Sequence, residues 1–87
     1  MKSKSIIDEN GNKRWKLPNG DLHREDGPAV EWWDGGKAWY LDGKLHREDG
    51  PAYQSKNGFS VWYLNGEEYT KQEYKKKMRL IKLDKIL

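Results

Sequence analysis

The residues best suited to chemistry come as a block that occurs twice. His23-Arg24-Glu25-Asp26 and His46-Arg47-Glu48-Asp49 each set an imidazole beside two carboxylates and a guanidinium, and they hold both histidines of the chain. Such a block could supply a general base oriented by a carboxylate, or ligands for a metal ion. The competing role is structural. Each block would knit its own turn, with the arginine paired to a carboxylate and the aspartate capping glycine N–H groups. Geometry favours structure: equivalent positions one repeat apart are expected two strands away, about 10 Å at roughly 4.8 Å per strand. Zinc ligands must lie within about 2 Å of the ion, so the two histidines are not expected to share one. No cysteine, Ser-His-Asp, phosphate-loop or dinucleotide pattern accompanies them. No catalytic residue, metal ligand or cofactor site is assigned, and the chain reads as non-enzymatic.

The elements that carry these blocks are repeats. Leu22-His23-Arg24-Glu25-Asp26-Gly27-Pro28-Ala29 recurs unchanged as Leu45-His46-Arg47-Glu48-Asp49-Gly50-Pro51-Ala52, 23 residues later. A second element occurs three times, as Asn10 to Leu17, Asp34 to Leu41 and Asn57 to Leu64, with Trp15, Trp39 and Trp62 in register. Asn-Gly and Asp-Gly dipeptides stand at residues 10, 19, 26, 34, 42, 49, 57 and 65. They are strong hairpin signals, because Gly and Asn accept the positive φ of tight turns. Their spacing predicts strands of about four to six residues in an antiparallel meander, with Pro28 and Pro51 each opening a strand. Alternation puts Trp39 and Leu41 on one face and Ala38 and Tyr40 on the other, and Trp15, Trp39 and Trp62 form a ladder that serves as core.

The C-terminal segment supplies a cover. Thr70-Lys71-Gln72-Glu73 fits a capping box, and Tyr74, Met78 and Ile81 follow at helical spacing, with Leu80, Leu83 and Leu87 on a neighbouring stripe. A helix over residues 71 to about 85 is expected, docked on the sheet. The predicted fold is thus mainly β, a meander of hairpin repeats over residues 5–69 packed by a basic helix over 70–87, in a single domain of 87 residues.

Composition is consistent with this plan. Hydrophobic residues make up only 34% of the chain and charged ones 36%, a balance that leans toward disorder unless five Trp and five Tyr replace an aliphatic core. Residues 71–87 carry a net charge of +5 and the remainder −2, so the basic character belongs to the tail. No apolar run approaches the roughly 20 residues of a membrane span, and Met1-Lys2-Ser3-Lys4-Ser5 leads into no signal-type segment. With no cysteine, a reducing, cytoplasmic setting is the expectation.

The units Trp39 to Ala52 and Trp62 to Thr70 resemble a repeat found in proteins of tailed bacteriophages, distantly similar to MORN-type β-hairpin repeats. In that family a Tyr-Thr and a charged helix likewise follow the last hairpin. The resemblance spans roughly residues 10 to 78, and the octapeptide is its most specific part. It implies a β-repeat sheet, a phage origin and the cytoplasm of a bacterial host; it implies no activity. The chain departs from the family in its short array, an inserted Pro18 and a longer basic tail.

Residues that break the repeat are the candidates for contact, since scaffold residues should recur and a partner contact need occur once. The Trp32 position is Ser55 and Asp8 in the neighbouring units, the Trp33 position is Lys56 and Glu9, and Phe59 corresponds to Gly36 and Asn12. Trp32 shares the face of Val30, whereas Trp33 falls on the polar parity of its strand and is expected to be exposed, as binding anchors are. Lys75, Lys76, Lys77 and Arg79 complete the candidate surface. Two readings follow. In the first the chain binds a bacterial host protein, including a host-defence factor such as a CRISPR component. In the second, less favoured because the lysines spread around the helix, that helix binds nucleic acid.

Overall fold

The computed structural model describes residues 2–86, with side chains through Leu83. It contains nine short strands, β1 (Lys4–Ile7), β2 (Lys13–Lys16), β3 (Val30–Glu31), β4 (Lys37–Ala38), β5 (Tyr40–Leu41), β6 (Lys44–Leu45), β7 (Tyr53–Gln54), β8 (Ser60–Leu64) and β9 (Glu67–Tyr69), followed by the helix α1 (Lys71–Ile86). Seven strands form an antiparallel sheet in the order β1-β2-β3-β4-β7-β8-β9, and β5 and β6 form a separate ribbon. The mainly β architecture with one C-terminal helix is as the repeats and capping box predict. The molecule is a thin slab of 44 × 33 × 17 Å.

Several strands are shorter than expected. The segment 37–41 is two strands, β4 pairing with β7 and β5 with β6, divided at Trp39. The Trp39 N–H donates to the Ala52 carbonyl, and its own carbonyl accepts from the His46 N–H. Its backbone is thus bonded to the octapeptide at the point where pairing passes from β7 to β6. Pro28 and Pro51 precede β3 and β7 by two residues.

Hairpin loops are of two kinds. At one end of the sheet, residues 8–12, 32–36 and 55–59 form matching loops in which the first residue's N–H bonds the last residue's carbonyl. At the other end, Asp42-Gly43 and Asn65-Gly66 take positive φ at both residues (51° and 82°; 52° and 84°), the signature of the primed type I turn. The inserted Pro18 enlarges the corresponding first turn, where the Leu17 N–H reaches the Asp21 carbonyl.

Asp26-Gly27 and Asp49-Gly50 are not hairpin turns, contrary to the sequence expectation, and neither glycine has positive φ. Their role is steric. A Cβ on Gly27 would lie 2.9 Å from the Arg24 Cζ, and one on Gly50 3.0 Å from the Arg47 Cζ. The guanidinium of Arg24 stacks on Trp15 (3.8 Å to the centroid) and that of Arg47 on Trp39 (3.7 Å). Glycine leaves the slot in which the cation lies between an indole ring and the main chain.

These stacks also correct the picture of the tryptophan ladder. Trp15, Trp39 and Trp62 share one face but are only partly buried, and cations rather than rings cover the first two. The buried hydrophobic residues among those described are instead Ala29, Val30, Ala38, Ala52, Leu64, Tyr74 and Met78. Register places Ile6, Arg14, Val30, Ala38, Tyr53 and Val61 in one row across the sheet.

The helix closes the array at its C-terminal end. The Thr70 Oγ1 accepts from the Glu73 N–H (3.1 Å) and the Glu73 carboxylate from the Thr70 N–H (2.9 Å), the reciprocal bonds of a capping box. Tyr74 and Met78 bury against Leu64, flanked by Trp62, Tyr69 and Ile81. Each of Leu64 and Met78 contributes about 1.5–3 kcal/mol by leaving water. The Tyr74 ring takes over from the arginine as neighbour of Trp62 (6.5 Å), while its hydroxyl donates to the Arg47 carbonyl and accepts from the Gly50 N–H. Burial raises the Tyr74 hydroxyl above its ordinary pKa. Docking uses a single stripe: Leu80 and Leu83, expected beside it, stay about half exposed, and Leu87 lies outside the described residues.

Candidate protein-interaction surface

The histidine blocks are built into the scaffold, but not in the way the sequence suggested. The His23 Nδ1 accepts the Asp42 N–H (2.9 Å), and the His46 Nδ1 accepts the Asn65 N–H (3.0 Å). Next to each, the Leu22 and Leu45 carbonyls accept the N–H groups of Gly43 and Gly66. Each octapeptide therefore secures the turn of the following unit rather than its own. Using Nδ1 as acceptor leaves the ring proton on Nε2, which in His46 faces the Glu48 carboxylate at 3.2 Å.

The arginines complete the block. The Nε of Arg24 donates to Asp26 (2.9 Å) and that of Arg47 to Asp49 (2.7 Å), while their Nη1 atoms reach the carbonyls of Pro28 and Pro51. The Arg24 hydrogen bond and charge hold the Asp26 carboxyl below the ordinary carboxylate range. Among the described residues no three His, Cys, Asp or Glu side chains are grouped to hold a metal ion.

Trp33 and Phe59 are brought to one end of the sheet. They lie in neighbouring loops, 32–36 and 55–59, and are 71% and 65% exposed. Trp33 is exposed because it occupies the second position of its loop, not because of strand parity. Its main chain is nevertheless fixed, since its N–H donates to the Asn12 Oδ1 (3.0 Å) in the adjoining loop. In the flanking loops Asp8 and Ser55 use their side chains to hold the turn, accepting from the N–H groups of Asn12 and Phe59. Trp32 cannot, and Asp34 does so in its place, accepting from the Gly36 N–H (3.0 Å). Trp32 is half-buried and meets Tyr53 edge to face at 5.8 Å, so it packs on the sheet and is not presented as Trp33 is.

The basic residues sit apart from these aromatics. Lys75 and Arg79 line a cleft of about 620 Å³ with Glu48, Asp49, Trp62 and Met78. Lys76 and Lys77 border a second, of about 350 Å³, with Glu68, Tyr69, Glu73 and Leu80. Trp33 and Phe59 line neither. Lys75 and Arg79 thus share one cleft with Glu48 and Asp49, and Lys76 and Lys77 share the other with Glu68, all three acidic residues belonging to the repeat body.

Sequence reasoning missed two further apolar residues at the loop end. Ile6 and Ile7, on the edge strand β1 just before the 8–12 loop, are 59% and 64% exposed. Their signal was present, because two adjacent isoleucines in a strand cannot both face one side. Among the described residues no helix is long and apolar enough to cross a membrane. Compared with protein-family models, curated proteins and solved structures, the chain finds no match.

Proposed function

We propose that this chain is a non-enzymatic protein-binding module that grips its partner with Trp33 and Phe59. The observation that carries the reading is their exposure in two neighbouring loops whose counterparts in the array bear small, polar or charged residues. A tryptophan on a main chain already fixed by Asn12 loses little freedom on binding, which is what makes an effective anchor. The histidines and arginines, the residues otherwise fit for catalysis, are engaged with backbone amides, rings and carboxylates of the scaffold. The resemblance to phage repeats makes a cytoplasmic bacterial host protein the partner class, a host-defence factor such as a CRISPR component among them.

The test compares Trp33→Ala and Phe59→Ala with charge reversal at Lys75, Lys76 and Lys77, at two salt concentrations, against captured host protein and random duplex DNA. The aromatic variants should weaken protein binding by about 2 kcal/mol or more while the melting temperature holds. The lysine variants should mainly slow association. If the lysine changes dominate and the affinity for DNA falls steeply with salt, the module reads nucleic acid and this proposal fails.

A further inference from the structure

The β1 edge is open, and its sequence matches itself. The Asp8 N–H bonds inward to the Asn12 carbonyl (2.9 Å), and the Trp15 N–H, opposite Ser5, points away from β1 to Ala29. Alternation along an antiparallel ladder then turns the main-chain groups of Lys4, Ile6 and Asp8 toward β2 and those of Ser5 and Ile7 outward. Edge protection in β1 is confined to its four-residue length and one lysine: Lys4-Ser5-Ile6-Ile7 contains no proline and carries two exposed isoleucines. The far edge, β9, carries Glu67 and Glu68 and packs beside α1.

We propose that β1 pairs antiparallel with β1 of a second copy about a two-fold axis at Ile6, joining two sheets into one. The outward groups allow this register, in which Ser5 of each copy exchanges hydrogen bonds with Ile7 of the other. Ile6 then meets Ile6 in the close, non-hydrogen-bonded position, which covers that exposed residue of each chain, while Ile7 lies opposite Ser5 on the other face. Lys4 falls opposite Asp8. That contact answers a defect within the single chain, where Lys4 is paired with Lys16, a like-charge opposition. Asp8 is on hand as a carboxylate, because its Arg14 hydrogen bond (2.8 Å) holds it ionised on the face shared with Ile6. The other registers the outward groups permit, centred on Ser5 or on Ile7, set Lys4 against Ile6 or Ile6 against Asp8. A second copy is therefore the occupant that this edge fits best, and the inference is independent of the role of Trp33.

The chain has no cysteine, which makes the register directly testable. Non-hydrogen-bonded antiparallel partners have Cα atoms about 4.5 Å apart, within disulfide range. Oxidised Ile6→Cys should become a covalent dimer, whereas Ile7→Cys, whose partner is Ser5, should cross-link at least tenfold more slowly. Wild-type protein in sedimentation equilibrium should move toward double its 10.3 kDa mass as concentration rises. Ile6→Lys should hold the monomer mass with an unchanged circular dichroism spectrum. Equal cross-linking of the two cysteine variants, or none by Ile6→Cys, overturns the register. A wild-type mass that stays at 10.3 kDa up to millimolar concentration overturns self-pairing and leaves the edge to a strand of another protein.

Discussion

The guanidinium slot makes a quantitative prediction about glycine. Arg47 lies 3.7 Å from the Trp39 ring centroid, and a Cβ at Gly50 would stand 3.0 Å from its Cζ. Truncating Arg47 to alanine removes a partly desolvated cation–π contact worth about 0.5–2 kcal/mol. It also removes the bond to the Pro51 carbonyl, worth about 1 kcal/mol, while the pair with the largely exposed Asp49 adds little. Arg47→Ala should therefore destabilise by about 1.5–3 kcal/mol. Gly50→Ala pushes the same guanidinium off the ring without deleting it and should cost about 1–2 kcal/mol. In the Arg47→Ala background nothing occupies the slot. There Gly50→Ala should be neutral or stabilising by up to about 1 kcal/mol, because alanine restricts the unfolded chain and Gly50 does not have positive φ. Urea melts of the four proteins, followed by tryptophan fluorescence, complete the cycle, and a coupling energy of about 2 kcal/mol is expected. Additive effects would show that Gly50 serves the main chain and not the arginine.

Two further outcomes follow from the scaffold. His46→Ala strips the acceptor from the Asn65 N–H and should lower stability by about 1 kcal/mol in the same melts, leaving partner capture by the folded fraction unchanged; lost capture at unchanged stability would give the block a binding role. Asp8, held down to about 2 from 3.8, first by Arg14 and then by the Asn12 amide, contributes stability that is complete above pH 3.8 and disappears as pH falls through about 2. Asp8→Asn should flatten the acid limb of the stability curve in that window, and an unchanged limb would mean the pair is not formed in solution.

Much of this was legible in the residues. The repeat, the helix start at Thr70 and six of the eight hairpin dipeptides could be read because each depends on local chemistry: a positive φ, or a hydroxyl three residues from a carboxylate. What could not be read depends on contacts between units. Asp49-Gly50 has the composition of a turn, yet its glycine answers to a guanidinium three residues earlier in the chain. His46 could not be assigned to the Asn65 amide until the next turn was in place beside it. Trp39 carries the alternation of a strand, but its main chain is taken by the octapeptide. Alternation suggested that Trp33 would be exposed, although the cause is its loop position. The half-exposed Leu80 and Leu83 follow from curvature around the helix, since Tyr74 and Met78 already fill the contact with Leu64.

The bonds between units have a direction, and that direction accounts for both ends of the array. Every octapeptide offers its leucine carbonyl and histidine Nδ1 to the turn that follows, so each primed turn relies on the unit before it. Among the described residues no octapeptide stands before the first turn. There Pro18 enlarges the loop and the Asn19 side chain accepts from the Asp21 N–H (2.9 Å), which holds the turn from within. After the last turn, Tyr69 and Thr70 stand where His46 and Arg47 stood one unit earlier, and no further turn needs an acceptor. Thr70 instead opens the helix, and Tyr74 covers the tryptophan that an arginine would have covered. The residues that recur are thereby committed to the scaffold at every step along the chain. The loops at the opposite end of the sheet differ more between units: Asp8, Asp34 and Ser55 hold the three turns with side chains that differ in type or position, and Asn12 also bonds the neighbouring loop at Trp33. Trp33 and Phe59 stand in those loops, 71% and 65% exposed, away from the octapeptides and primed turns that bind one unit to the next.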